Sequence, residues 1–400
     1  MSVLKGLNVL DFSWVAAGPL LTKYMADFGA MVIRIESLER PDVLRYSAPY
    51  KDGEPGINRS GYYAIYNTNK YSMSLNLKHP NGLELARRLV RWADVVVDNF
   101  TPGTLEKWSL GYEDLKSIKP DIIMLRSTQQ GITGPHARQP GYGPFLTAFA
   151  GFGSITGWPD RPPLAPAGAH PDFIAPRLGM AALIAALMYR KRTGKGQCID
   201  VSQLECSIHF LSPLILSYYV NGDMPARNGN SSFYAPCNAY PCKGTDRWCV
   251  IVVQSEDEWQ QFCQAMGNPE WTKEDWCQTL TGRKANEKQL DALISEWTKD
   301  FETENLMEML QNHGIAAGMV KNSADLVEDP QLNRDYFWWM NHPEMGRFPY
   351  PRHAFKLSRT PDEARMPSPC LGEHTEYVCK QVLKLSDSEF IEYLNEGILH

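Results

Sequence analysis

What the 400-residue sequence lacks narrows its reading first. No cysteine occurs before Cys198, and the nine present form an odd set whose closest pair, Cys237 and Cys242, has no histidine cluster nearby. A disulfide scaffold of the secreted kind is thereby excluded, and a structural zinc site is disfavoured. No G-x-G-x-x-G follows a β-prone run, and neither G-x-x-x-x-G-K-[ST] nor G-x-S-x-G occurs. Dinucleotide binding, P-loop chemistry and a serine nucleophile elbow therefore have no motif. The longest apolar stretch, around LGMAALIAALMY, is shorter than the roughly 20 residues of a bilayer span. Forty basic and 46 acidic residues are mixed along the chain for a net charge of -6, with no basic stripe and no acidic tail. Nucleic acid and membrane are thus not expected as partners. The opening MSVLKGLNVLDFSWVAAG lacks the plan of a signal peptide. A cytoplasmic protein with reduced thiols, no metal and no tightly bound cofactor is expected.

The length exceeds the roughly 250–300 residues that one core organises, so two domains are expected. GLNVLDFS, AMVIRIES, YSMSLNLK, ADVVVDNF and DIIMLRST are β-prone runs alternating with helix-like stretches such as GPLLTKYMADFG and PNGLELARRLVRWA. That alternation predicts an α/β fold with a parallel, Rossmann-like sheet, whose ligand crevice lies beyond the carboxyl ends of its strands. Residues 12–17 and 99–103 are then natural site loops. A Pro-, Gly-, Asn- and Ser-rich segment, 223–245, reads as a crossing linker. After it, RWCVIVVQ and GIAAGMV read as strands around charged helices. The expected organisation is a large Rossmann-like domain beginning over 1–222, a smaller α+β domain over 223–325, and a return of 326–400 to the large domain, closed by two helices.

The stretch GAHPDFIAPRLG, residues 168–179, sets Asp172 just before the apolar run MAALIAALMY. Asp is a preferred helix N-cap, so this carboxylate has an ordinary structural use. The same geometry also suits chemistry. A carboxylate at a helix N-terminus feels the positive end of the macrodipole, which favours an ionised nucleophile.

Six segments carry a family likeness: LKGLNVLDFSWVAAGPLLTKYMADFGAMVIRIE, NTNKYSMSLNLKHPNG, ADVVVDNFTPGTLEKWSLGYEDL, TGKGQCIDVSQLE, EDPQLNRDYF and LGEHTEYV. Together, in this order, they resemble the class III CoA-transferases, the formyl-CoA and carnitine CoA-transferase family. The resemblance implies an interlocked homodimer that transfers CoA from an acyl-CoA donor to a carboxylic acid acceptor. It gives the nucleophile's place to Asp172, through an aspartyl anhydride and then an aspartyl-CoA thioester. It places the adenine end of CoA against Leu75, Asn76 and Leu77, runs the pantetheine past Asn99 and Phe100, and sets Val15 and Ala17 close to the thioester with Trp14 as a wall. Lys107 stands where the family often carries a phosphate-binding base, although a solvated helix face would use a lysine equally well. Arg126 and Arg138 are weaker candidates for phosphate, and Gly229 is either a cover over the site or a plain turn.

Two departures stand out. Ile132 replaces a frequent glutamine while Gln129 and Gln130 lie upstream, and Gly143 stands where many relatives carry an aspartate, a loss expected to enlarge the pocket beside Phe145. Trp14, Tyr142, Phe145 and Phe149 suggest an aromatic pocket for a bulky, benzylsuccinate-like acid. Two alternatives share the likeness. The first is an α-methylacyl-CoA racemase, whose histidine would fall at Tyr142, with His136 and His170 off the matching position. The second is one subunit of a heteromeric transferase.

Overall fold

The computed structural model describes residues 2–164 and 168–399. Six strands, β1 (Asn8–Asp11), β2 (Met31–Glu36), β3 (Tyr71–Ser74), β4 (Val95–Asp98), β5 (Ile123–Thr128) and β6 (Cys198–Ser202), form one parallel sheet in the order β3-β2-β1-β4-β5-β6. This is the doubly wound order, and it answers the alternation read from the sequence. Strands such as β4 and β5, buried along their whole length and apolar over Val95–Val97 and Ile123–Leu125, need covers on both faces. The helix Pro80–Trp92, which buries Leu85, Ala86, Leu89 and Val90, packs on one face with the C-terminal residues Val378, Cys379 and Ile398. Helices Ala17–Asp27 and His170–Thr193 cover the other.

The helix His170–Thr193 is apolar on most sides and by length and composition could match a bilayer span. It instead lies on the sheet, burying Ala175, Gly179, Leu183 and Ala186 into the core. It begins earlier than expected. Ala169 is its N-cap, so Asp172 is the third helical residue and not the cap.

The chain divides into two units, one of residues 2–154, 163–225 and 334–399, the other of 155–162 and 226–333. The second unit holds an antiparallel sheet ordered β7-β8-β9, from β7 (Cys237–Pro241), β8 (Trp248–Val252) and β9 (Ala316–Met319). Helices Glu256–Ala265, Glu287–Thr298 and Thr303–Asn312 bury Trp259, Phe262, Leu290, Ile294 and Leu306 in its core. The segment read as a linker over 223–245 thus ends in a strand; Pro241 and Asn238 are tolerated because β7 is at the sheet's edge. In the first unit, β10 (Phe337–His342) and β11 (Gly346–Pro351) form an unforeseen hairpin. All nine cysteines are unpaired.

Candidate active site

From β1 and β4, adjacent in the sheet, the chain winds outward in opposite directions, so the loops after their carboxyl ends part and leave a crevice. A cleft of about 550 Å3 lies there, within the first unit. Phe12, Trp14, Val15, Ala16 and Ala17 line it from the β1 loop, and Asn99, Phe100, Thr101 and Thr104 from the β4 loop. Leu75, Asn76, Leu77 and Lys78 follow β3 on one side; Gly141, Tyr142, Gly143 and Asp172 close the other. Twelve residues singled out from the sequence therefore meet here: Trp14, Val15, Ala17, Leu75, Asn76, Leu77, Asn99, Phe100, Gln129, Tyr142, Gly143 and Asp172.

Asp172 is 8% exposed, and its carboxylate makes no hydrogen bond or ion pair among the described residues. Burial pushes its pKa up to about 7. The expectation of a dipole-stabilised anion is thereby corrected. A helix end contributes about 0.3–1 kcal/mol, up to ~2 in favourable sites, whereas a shift of this size corresponds to roughly 4 kcal/mol, so desolvation outweighs it. Pro176 lacks an N–H, which leaves the Asp172 carbonyl without its helical donor four residues on. The carboxylate is brought to the cleft by close approach to Gly143: a Cβ there would stand 2.2 Å from both Asp172 Oδ2 and Ala169 Cβ. Glycine at this position leaves no extra room beside Phe145, because Asp172 itself fills the space.

Asn99 holds the β1 loop through its side chain. Its Oδ1 accepts from Trp14 N at 2.9 Å and its Nδ2 donates to Trp14 O at 2.7 Å. Trp14 and Phe100 meet edge to face, with ring centroids 5.3 Å apart. Leu75 is buried in the core, while Asn76 Oδ1 accepts from Lys78 N at 3.0 Å and so shapes the turn after β3.

Other candidates fall elsewhere. Lys107 is exposed on the short turn Glu106–Trp108 and is not among the described lining residues. Arg126 is buried, pairs with Asp98 at 3.1 Å and Glu106 at 2.6 Å, and is not among the described lining residues. Arg138 and Ile132 border a separate hollow. Phe145 is half exposed and packs on Phe149 edge to face at 4.5 Å; neither lines the cleft. Gln129 lines it, whereas Gln130 bonds Gln139. Gly229, with φ +62, sits where a Cβ would come within 2.4 Å of the Trp158 ring, as a packed turn requires. His170 stacks on Phe152, and none of the described lining residues is a histidine.

Sequence reasoning missed Arg40, Lys78 and Gln203, which also line the cleft. A signal existed for the first two: each is a cation four residues past the carboxyl end of a strand, β2 or β3, on the same side of the switch point. Lys78 pairs with Glu39 at 2.8 Å in the open, an arrangement an incoming phosphate can exchange.

The family model described as CoA-transferase family III matches residues 4–375. The succinyl-CoA–D-citramalate CoA-transferase of Chloroflexus aurantiacus is 31% identical over 388 residues, covering 96% of this chain and 95% of that protein. The human succinyl-CoA:glutarate CoA-transferase is 30% identical over 398 residues, covering 99% and 90%. Among solved structures, a CAIB/BAIF family protein from Brucella suis superposes with a TM-score of 0.88 at 31% identity, over 95% of this chain and 99% of that one.

Proposed function

This chain belongs to CoA-transferase family III, and from that premise we propose that it moves CoA between carboxylic acids with Asp172 as the covalent nucleophile. One observation carries the reading: a buried carboxylate without a partner opens on a cleft at the switch point of a doubly wound sheet. Ionised Asp172 attacks the acyl-CoA carbonyl, forming an aspartyl anhydride and releasing CoA thiolate. The thiolate then attacks the aspartyl carbonyl of that anhydride, giving an aspartyl-CoA thioester and freeing the first acid. The acceptor carboxylate attacks this thioester, making a second mixed anhydride and releasing the thiolate again. Attack of the thiolate on the acceptor's acyl carbon yields the new acyl-CoA and restores Asp172. Splitting the transfer in this way replaces one hard displacement by a poor nucleophile with easier steps. Exclusion of water from the anhydrides is required throughout, and the depth of Asp172 supplies part of it.

In this reading Arg40 and Lys78 meet the phosphates of CoA, the Leu75–Leu77 turn flanks its adenine end, and the Trp14–Phe100 pair walls the thioester. No histidine is among the described lining residues, so the cleft lacks the histidine that a racemase would pair with Asp172, which favours transfer over racemisation. We further propose a cytoplasmic homodimer, interlocked as the resemblance implies. Helix Ser212–Asn221 buries none of its residues and exposes Leu216, Tyr219 and Val220, while Ile184 and Met188 of the Asp172 helix are also exposed. Apolar surface on that scale is expected to be covered by a second copy. Unpaired cysteines accord with a reducing compartment.

The test is a chromatographic assay with succinyl-CoA as donor and glutarate, D-citramalate or an aryl-substituted succinate as acceptor. The wild-type chain is expected to form at least one new acyl-CoA, and Asp172→Ala none. Transfer by Asp172→Ala at the wild-type rate would overturn the assignment. Deuterium uptake at the α-carbon of a 2-methylacyl-CoA, with no acceptor present, would favour the racemase instead.

A further inference from the structure

The loop between β1 and the helix Ala17–Asp27 lines the same cleft as Asp172, and its backbone is fixed one polar group at a time. Ser13 N donates to Asp11 Oδ1 at 2.9 Å, and Arg34 Nη1 donates to Ser13 O at 2.8 Å. Asn99 holds both sides of the Trp14 peptide, and Val15 N donates to Asp42 Oδ2 at 2.9 Å. Five successive groups are thus held by four side chains: Asp11 of β1, Arg34 of β2, Asn99 just past β4, and Asp42 at the head of the turn Val43–Tyr46. Val15 needs such restraint, since its φ of +65 places a β-branched residue in the left-handed region. Strain of that kind persists only where the surroundings over-determine it.

Asp42 is the restraint on Val15. Its Oδ2 also pairs with the Arg34 guanidinium and its Oδ1 accepts from Leu44 N at 2.9 Å, which caps the turn Val43–Tyr46. Arg34, Asp42 and Asp11 are fully buried, and Asp42 is not among the described residues lining the cleft. A buried ion pair of this kind is weak evidence for stability, and its better-attested use is to hold one arrangement among several.

We infer that Asp42 is a positioning residue for CoA transfer, acting through Val15: with Arg34 it locks the β1 loop in the strained conformation that sets the thioester against Asp172. The inference rests on the nucleophile reading above. It is tested with the full chain, Asp42→Asn, Arg34→Lys, Val15→Gly and the double variant Asp42→Asn/Val15→Gly. Arg34→Lys keeps the buried charge but lacks the fork that reaches Ser13 and Asp42 together. The readouts are the single-turnover rate of adduct formation on Asp172 from succinyl-CoA, per CoA-binding site titrated by calorimetry, and the affinity for free CoA.

Asp42→Asn and Arg34→Lys are each expected to slow adduct formation roughly 10- to 100-fold, as a misplacement of about 1 Å can. Affinity for CoA should stay within about threefold, because neither substitution removes a side chain that lines the cleft. Glycine takes a positive φ without steric cost, so Val15→Gly should return at least about a fifth of the lost rate in the Asp42→Asn background. An unchanged rate per site in either single variant, or a loss matched wholly by missing CoA sites, overturns the positioning role. If Asp42→Asn does not fold, Arg34→Lys decides by the same criterion. A wild-type chain that forms no adduct with any acyl-CoA defeats the nucleophile reading and the positioning with it; a normal wild-type adduct alongside unimpaired variants defeats the positioning alone.

Discussion

Asp172→Asn removes a charge that the fold resists, so it should stabilise the protein in a pH-dependent way. The folded pKa of about 7 lies above the ordinary aspartate value. A group shifted in this direction contributes stability that is fully present below its unfolded pKa, near 4, and is lost as pH rises through 7. Three units correspond to roughly 4 kcal/mol at full ionisation, of which about 1.5 kcal/mol is already lost at pH 5. Asparagine keeps the size and never ionises. The difference in unfolding free energy between variant and wild type should therefore widen by about 2–3 kcal/mol from pH 5 to pH 8, with the variant gaining. Other titrating groups cancel in that difference. Urea denaturation of both proteins at one concentration measures it, since the proposed dimer would make stability depend on concentration. Parallel pH profiles would refute the reasoning. The same ionisation should govern chemistry, with the rate of adduct formation rising as pH passes through about 7.

Gly143→Ala places a methyl where Asp172 Oδ2 and Ala169 Cβ already stand, each 2.2 Å away. Overpacking of this kind costs about 1–3 kcal/mol, and transfer should fall at least tenfold while circular dichroism shows an unchanged fold. Arg40→Ala and Lys78→Ala should each raise the KM for acyl-CoA about fivefold, equivalent to ~1 kcal/mol for an exposed ionic contact, with kcat nearly unchanged and the effect fading in high salt; steady-state kinetics at two ionic strengths check this. Tyr219→Glu on helix Ser212–Asn221 should weaken self-association, seen by sedimentation as a shift from dimer toward monomer at micromolar concentration.

The sheet was legible because parallel strands buried on both faces begin as apolar runs, here Val95–Val97 and Ile123–Leu125. Its winding followed from the intervening helix patterns, and the carboxyl ends of the strands then marked residues 12–17 and 99–103 as site loops, while the family resemblance supplied Trp14 and Asn99 individually. The edge strand β7 was hidden by Pro241 and Asn238, which carry no strand signal. Arg126 misled for another reason: its partners, Asp98 and Glu106, are 28 and 20 residues away, a distance across which charge pairing leaves no local trace. The hold of Asp42 on Val15 is of the same type. The ionisation of Asp172 was misjudged because the sequence displays the helix that would stabilise an anion but not the burial that opposes it.

The central claim is covalent, and peptide mass mapping tests it most directly. Wild-type protein incubated with succinyl-CoA, quenched and digested, should carry a mass increment for CoA or the succinyl group on the peptide holding Asp172, removable by hydroxylamine. Sustained transfer of CoA with no adduct on that peptide, under quenching that preserves a synthetic aspartyl thioester, would contradict the account.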